Sequence, residues 1–95
     1  MRIKARVDAN QVAVVKALRG IGASVRPLAQ LGDGIPDLLV GRRGINLLLE
    51  VKDGTSKPSE RKLTPAEQTF ANTWAGQVRV VESVREAVDY VLENT

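Results

Sequence analysis

Gly34-Ile35-Pro36-Asp37-Leu38-Leu39-Val40-Gly41-Arg42-Arg43-Gly44-Ile45-Asn46-Leu47-Leu48-Leu49-Glu50-Val51-Lys52 is the stretch on which the fold turns. Two apolar runs flank Gly41-Arg42-Arg43-Gly44, a tight-turn signal, so Ile35 to Val40 and Ile45 to Lys52 read as two strands of a hairpin. If Gly41 faces Gly44 across the turn, Asp37 lies opposite Leu48 and Glu50 follows two residues along the same strand. Strand side chains alternate between faces, so Asp37, Glu50 and Lys52 project together. The other face holds Pro36, Leu38, Val40, Ile45, Leu47, Leu49 and Val51, which is almost wholly apolar and reads as core. A turn with an odd number of loop residues would destroy this agreement.

Working outward, Asp8-Ala9-Asn10-Gln11 has the capping-box pattern that opens a helix. That helix carries Val12, Val15 and Leu18 and ends near Gly20 or Gly22. Ser24 to Leu28 reads as a first strand and Leu31 to Gly34 as a loop. On the other side, Asp53 to Lys62 is a polar loop. Thr64-Pro65-Ala66-Glu67 then signals a helix by an N-cap, a proline in its first turn and a glutamate closing the box. That helix runs to about Ala75 and stops at Gly76. Val78 to Val81 is a fourth strand, and Ser83-Val84-Arg85-Glu86 opens a last helix through Leu92. The order αβββαβα, without repeats, predicts one α/β sandwich domain over residues 1–95, a small mixed sheet flanked by helices.

Composition narrows the chemistry. The chain has no cysteine, which excludes disulfides and cysteine zinc sites. It has no histidine, which excludes the usual catalytic triads, histidine metal sites and histidine bases. Hydrolysis would therefore rest on carboxylates, lysine or a carboxylate-bound metal. Arg2, Lys4 and Arg6 near the N-terminus are followed by no apolar segment of useful length, and no run approaches a membrane span. A soluble, unexported, cytoplasmic protein is the expectation, with no membrane partner. The net charge of +3 is modest, but its distribution is not even. Lys57, Arg61 and Lys62 crowd one stretch, and Arg42 and Arg43 sit in a turn, as expected of phosphate contacts. A solvated, solubilising loop would show the same charges. Aromatics are only 3% of the chain, which disfavours a base-stacking platform.

Two carboxylates sharing one end of a hairpin repel each other unless a cation lies between them. A hard divalent ion such as Mg²⁺ takes one or two carboxylates and completes its octahedron with water and phosphate oxygens. A neighbouring lysine then orients water or neutralises charge developing at phosphorus. Asp37, Glu50 and Lys52 are thus sufficient for phosphodiester hydrolysis without histidine. A bare Glu-x-Lys is equally at home at an ordinary exposed strand end. The Pro-Asp at matching hairpin parity, inside this element order, separates the two readings.

The segments Gly34-Ile35-Pro36-Asp37-Leu38-Leu39-Val40-Gly41 and Leu48-Leu49-Glu50-Val51-Lys52 resemble the PD-(D/E)XK nuclease superfamily. Arg61-Lys62-Leu63-Thr64-Pro65, Trp74-Ala75-Gly76-Gln77-Val78 and Val81-Glu82-Ser83 resemble its VRR-NUC (virus-type replication-repair nuclease) family. The likeness is to short stand-alone members from phages and prophages, and it covers nearly the whole chain. It implies a restriction-endonuclease-like sandwich, Mg²⁺ or Mn²⁺ as cofactor, DNA as substrate, and homodimers that cut branched DNA such as Holliday junctions. It implies a bacterial or phage-infected cytoplasm as the setting. It also implies Asp37 and Glu50 as metal ligands, the Val51 backbone carbonyl as a further ligand and Lys52 as the catalytic lysine. The family often has glutamine where Glu67 stands. Glu67 shares a helical stripe with Leu63, Phe70 and Trp74, so it can face the sheet or close the capping box. Relatives often supply a glutamate from the first helix; here Asp8 and Gln11 are the candidates, with Asp8 also suited to a cap. The rival reading from another class is a non-catalytic DNA-binding module on the same fold, and among enzymes a nuclease for other DNA or RNA substrates.

Overall fold

The computed structural model describes residues 9–95, in which four strands form one sheet ordered β1-β2-β3-β4. The elements are α1 (Ala9–Gly20), β1 (Ser24–Pro27), β2 (Leu38–Arg42), β3 (Ile45–Val51), α2 (Pro58–Arg61), α3 (Pro65–Thr73), β4 (Val78–Val81) and α4 (Val84–Asn94). The expected order is present, with two additions: a 3₁₀ turn at Ala29–Leu31, and α2, a single helical turn inside the expected Asp53–Lys62 loop. Pro58 begins that turn, where its missing N–H costs nothing.

The β1–β2 and β2–β3 pairs are antiparallel and β3–β4 is parallel, the last connected through α3. Leu38, Val40, Leu47, Leu49 and Val51 point to one face and are buried there with Val25 and Val81. Helices α1 and α4 pack on each other and on the sheet, and Val14, Leu18, Ala87 and Val91 complete the core. On α1 the buried stripe is Gln11, Val14 and Leu18 rather than Val12, Val15 and Leu18. The helix is rotated about its axis, leaving Val12 56% exposed. Both stripes have helical spacing, and packing against α4 selects between them. Ile45, expected in the core, is 37% exposed at the end of the hairpin.

The hairpin register differs from expectation in a way that matters. Arg42 pairs with Ile45, and Gly41 faces Asn46 rather than Gly44. The loop is only Arg43-Gly44, with φ of 53° and 82°. Two successive positive values make a type I′ turn, whose twist suits a two-residue hairpin. The shift from the expected register is two residues, so every side chain keeps its face. Leu38 pairs with Leu49, so Asp37 and Glu50 meet at the next rung. The register therefore sets the two acids face to face, instead of Asp37 opposite Leu48.

Candidate active site

Asp37 immediately precedes β2 and is fixed through both its backbone and its side chain. Its carbonyl accepts the Leu28 N–H at 2.7 Å. Its Oδ2 accepts the Val51 N–H at 2.7 Å, taking a place that a longer β2 would have filled with a backbone carbonyl. Glu50, only 5% exposed, lies within hydrogen-bonding reach of Asp37. Burial, then the charges of Asp37 and Glu67, push the Glu50 carboxyl up to about 8. Burial raises Asp37 as well, even though the Val51 N–H pulls the other way. Both carboxyls are thus shifted toward keeping a proton, in a place where a cation can do the same work.

Lys52 follows on the same face, its Nζ 3.6 Å from Glu50 Oε2 and 3.0 Å from Glu67 Oε1. Burial alone would lower the lysine, but the hydrogen bond and charge of Glu67 outweigh it and raise it. Burial likewise opposes ionisation of Glu67. The Thr64 N–H and Lys52 win, and hold that carboxyl below its usual value. The same Glu67 oxygen accepts the Thr64 N–H at 2.9 Å, while Thr64 Oγ1 accepts the Glu67 N–H at 3.1 Å. Capping box and contact with the site, alternatives in the sequence, are both made by one carboxylate.

The first turn of α3 is seated beside Asp37 by Gly34. This residue has a φ of 75°, and a Cβ on it would collide with the Ala66 carbonyl and lie 2.8 Å from the Glu67 nitrogen. Only glycine permits both that conformation and that backbone approach. The Gly34–Asp37 loop and the helix bearing Glu67 are thereby closed onto one another.

Comparison with solved structures finds a domain described as a VRR_NUC domain, at 27% identity and a TM-score of 0.62, over 90% of this chain and 92% of that one. That likeness, over nearly the whole of both chains, supports the VRR-NUC family. The fold is the restriction-endonuclease-like sandwich, and the domain is of the nuclease type. No family model matches the sequence, and no curated protein matches it.

The acidic pair of this VRR-NUC-like domain fits a hard divalent cation by the chemistry of its donors. No three His, Cys, Asp or Glu side chains converge on a common metal position among the described residues. A cation here would take the two carboxylates and complete its shell with a backbone carbonyl, water and phosphate oxygens.

The remaining expected residues divide. Asp8 lies outside the described residues. Gln11 is buried on the core side of α1. Asn10 of α1 reaches the site as well, its Nδ2 donating to the Lys52 carbonyl at 2.8 Å. Sequence reading missed it; its only signal was its place in the first turn of the helix, between the two residues considered. Lys57 and Lys62 are exposed on either side of α2. Arg61 instead lies 3.3 Å from Glu82 Oε1, with its Nε buried and unpartnered. Arg42 has partners within the fold: its Nε donates to the Ile21 carbonyl at 3.2 Å and its Nη1 to Thr95 Oγ1 at 2.9 Å. Its guanidinium straps the loop after α1 and the end of α4 to the hairpin. Arg43 is exposed in the turn. No described helix is long and apolar enough to cross a membrane.

Proposed function

We propose that this VRR-NUC domain is a divalent-metal-dependent endodeoxyribonuclease that hydrolyses phosphodiester bonds in branched DNA, such as a four-way junction, as a homodimer in the cytoplasm of a bacterium or phage-infected cell. The observation that carries the reading is the facing, buried pair of Asp37 and Glu50, with the Lys52 ammonium held beside it. Perturbed carboxylates gathered at one strand end mark a site built for a cation. Asp37, Glu50 and the Val51 carbonyl would hold Mg²⁺, with Mn²⁺ as substitute. The ion when bound supplies an activated water and charge neutralisation at phosphorus. Lys52 orients that water or meets the negative charge gathering on the phosphate, and Glu67 keeps its Nζ charged and aimed. Lys57 and Lys62, exposed around α2, contact phosphates, joined by Arg43 and, on release from Glu82, by Arg61. A dimer supplies the two incisions that resolving a junction needs, and two-fold symmetry matches a symmetric junction.

The test is Mg²⁺-dependent cleavage of labelled junction, flap, nicked, linear and single-stranded DNA and of RNA, with wild type, Asp37→Asn and Lys52→Ala. The wild type should cut the junction best. Each variant should lose about a thousandfold or more in rate, roughly 4 kcal/mol of transition-state stabilisation. Asp37→Asn should lose metal affinity and Lys52→Ala retain it, and both should still bind the junction in Ca²⁺. Binding by the wild type without cleavage of any substrate would make the domain a non-catalytic module. Full cleavage by Asp37→Asn would place the active site elsewhere.

A further inference from the structure

Lys52 lies just past the last ladder pair of β3 and β4, Val51 with Val81. A residue in that position ordinarily frays, because half its backbone partners are gone. Here both of its backbone polar groups are engaged. Its N–H donates to the Val81 carbonyl at 2.9 Å, and its carbonyl receives Asn10 Nδ2 at 2.8 Å. The second bond comes from α1, 42 residues earlier in the chain. Immediately beyond, Asp53 turns the chain away through bonds from the Thr55 N–H and hydroxyl to its own Oδ1. Two residues on, the Gly54 N–H donates to the Glu82 carbonyl at 2.9 Å, so Asn10 holds the Lys52 carbonyl from the α1 side while the neighbouring N–H groups hold the backbone to Val81 and Glu82.

We infer that Asn10 is a positioning residue for Lys52. The bond ties the backbone at Lys52 to α1, and so holds the Cα from which the side chain leaves the sheet. The Nζ then falls at 3.0 Å from Glu67 and 3.6 Å from Glu50. Without the Asn10 bond the Lys52 carbonyl loses its partner and this backbone is held from one side alone, through the Lys52 and Gly54 N–H groups on the Val81 and Glu82 carbonyls, so the ammonium loosens in its registration with the acidic pair. A lost hydrogen bond of ordinary strength allows about a tenfold rise in the population of misaligned conformers. A displacement of an ångström in a reacting group is enough to slow chemistry sharply.

This inference rests on the nuclease reading for its catalytic half alone. Two variants separate positioning from mere folding. Asn10→Ala removes the donor. Asn10→Asp keeps the shape, removes the donor and places negative charge in the first turn of α1, where it favours the helix. Two readouts are taken on the whole protein: the rate at which an amine-reactive ester labels Lys52, followed by peptide mass spectrometry without metal, and the kcat and KM for junction cleavage with Mg²⁺. In the wild type the Lys52 side chain is 15% exposed and should label slowly. Both variants should label Lys52 about tenfold faster, with Lys57 and Lys62 unchanged, and should lose about tenfold in kcat at constant KM. The melting temperature of Asn10→Asp should equal or exceed that of the wild type. Unchanged labelling in both variants overturns the inference, as does faster labelling with unchanged kcat, or a loss confined to KM. A wild type inert on every substrate overturns the nuclease reading and the catalytic half with it, while the labelling rates still decide whether Asn10 holds Lys52.

Discussion

The two ends of the β2–β3 hairpin carry similar numbers of charged residues and treat them in opposite ways. At the turn end, Arg42 donates to a backbone carbonyl and a hydroxyl, and Arg43 is exposed. At the open end, two carboxylates face each other in a buried place, with Glu50 pushed up to about 8, while a third carboxylate holds the lysine. The turn end is satisfied as it stands. The open end shifts Glu50 far from its value in water, and that difference is the physical ground for proposing chemistry there.

The largest effect that would break this contrast is on stability against pH in the absence of metal. Glu50 binds its proton more tightly folded than unfolded, with about 8 against an ordinary 4.5. Its contribution is therefore fully present below about 4.5 and is lost as the pH rises through about 8. Asp37, also raised, acts in the same sense. Glu67, held low, acts in the opposite one, and its share is lost only as the pH falls below the ordinary carboxylate range. Metal-free protein should thus melt lower at pH 9 than at pH 6, by roughly 4–8 °C for each kcal/mol of linkage. Added Mg²⁺ should raise the melting temperature more at pH 9 than at pH 6, since a cation replaces the proton. Equal melting temperatures at both pH values, with and without metal, would remove the electrostatic load from the open end.

The next effect compares one glycine at each end. At Gly34 a methyl group meets the backbone of Ala66, and the φ of 75° is itself unfavourable to alanine. At Gly41 the nearest atom is the Asn46 side-chain oxygen, 3.2 Å away and able to move. Gly34→Ala should cost about 1–3 kcal/mol of stability and displace the first turn of α3 together with Glu67. Gly41→Ala should cost under about 1 kcal/mol. Junction cleavage should fall at least about tenfold further for the first than for the second. Equal losses would show that the seating of α3 on Gly34 is unimportant to the site.

Much of this was legible beforehand, because one face of the hairpin is so plainly apolar. Leu38, Val40, Leu47, Leu49 and Val51 declared the buried face, and period-two alternation then placed Asp37, Glu50 and Lys52 together. Hairpin parity survived the wrong turn because the error was an even number of residues; an Arg43-Gly44 loop was hidden by the two glycines that bracket Arg42 and Arg43. The stripe on α1 was not legible, since its valines and alanines support two rotations and only contact with α4 chooses. The hydrogen bonds of Asn10 and Arg42 were not legible for a common reason. Each residue acts through a hydrogen bond to a distant backbone carbonyl, and a carbonyl has no identity in a sequence.

The smallest effect concerns Arg42, and it sharpens the comparison from the other side. Arg42→Ala removes two hydrogen bonds, to the Ile21 carbonyl and to Thr95 Oγ1, which join the loop after α1 and the end of α4 to the hairpin. The net cost of such bonds is about 1 kcal/mol, more if the carbonyl is left dry. The melting temperature should fall by about 4–8 °C. Cleavage at a temperature where the variant is folded should not change, because Arg42 lies five residues from Asp37, about 16 Å of extended strand. The salt dependence of junction binding should not change either, since the guanidinium is occupied within the protein. Arg43→Ala, on an exposed side chain, should do the reverse: no loss of stability, and about one unit less salt slope if that residue meets a phosphate. A fall in salt slope for Arg42→Ala without loss of stability would return Arg42 to the DNA-binding surface. It would also show that the turn end, too, is held ready for a partner.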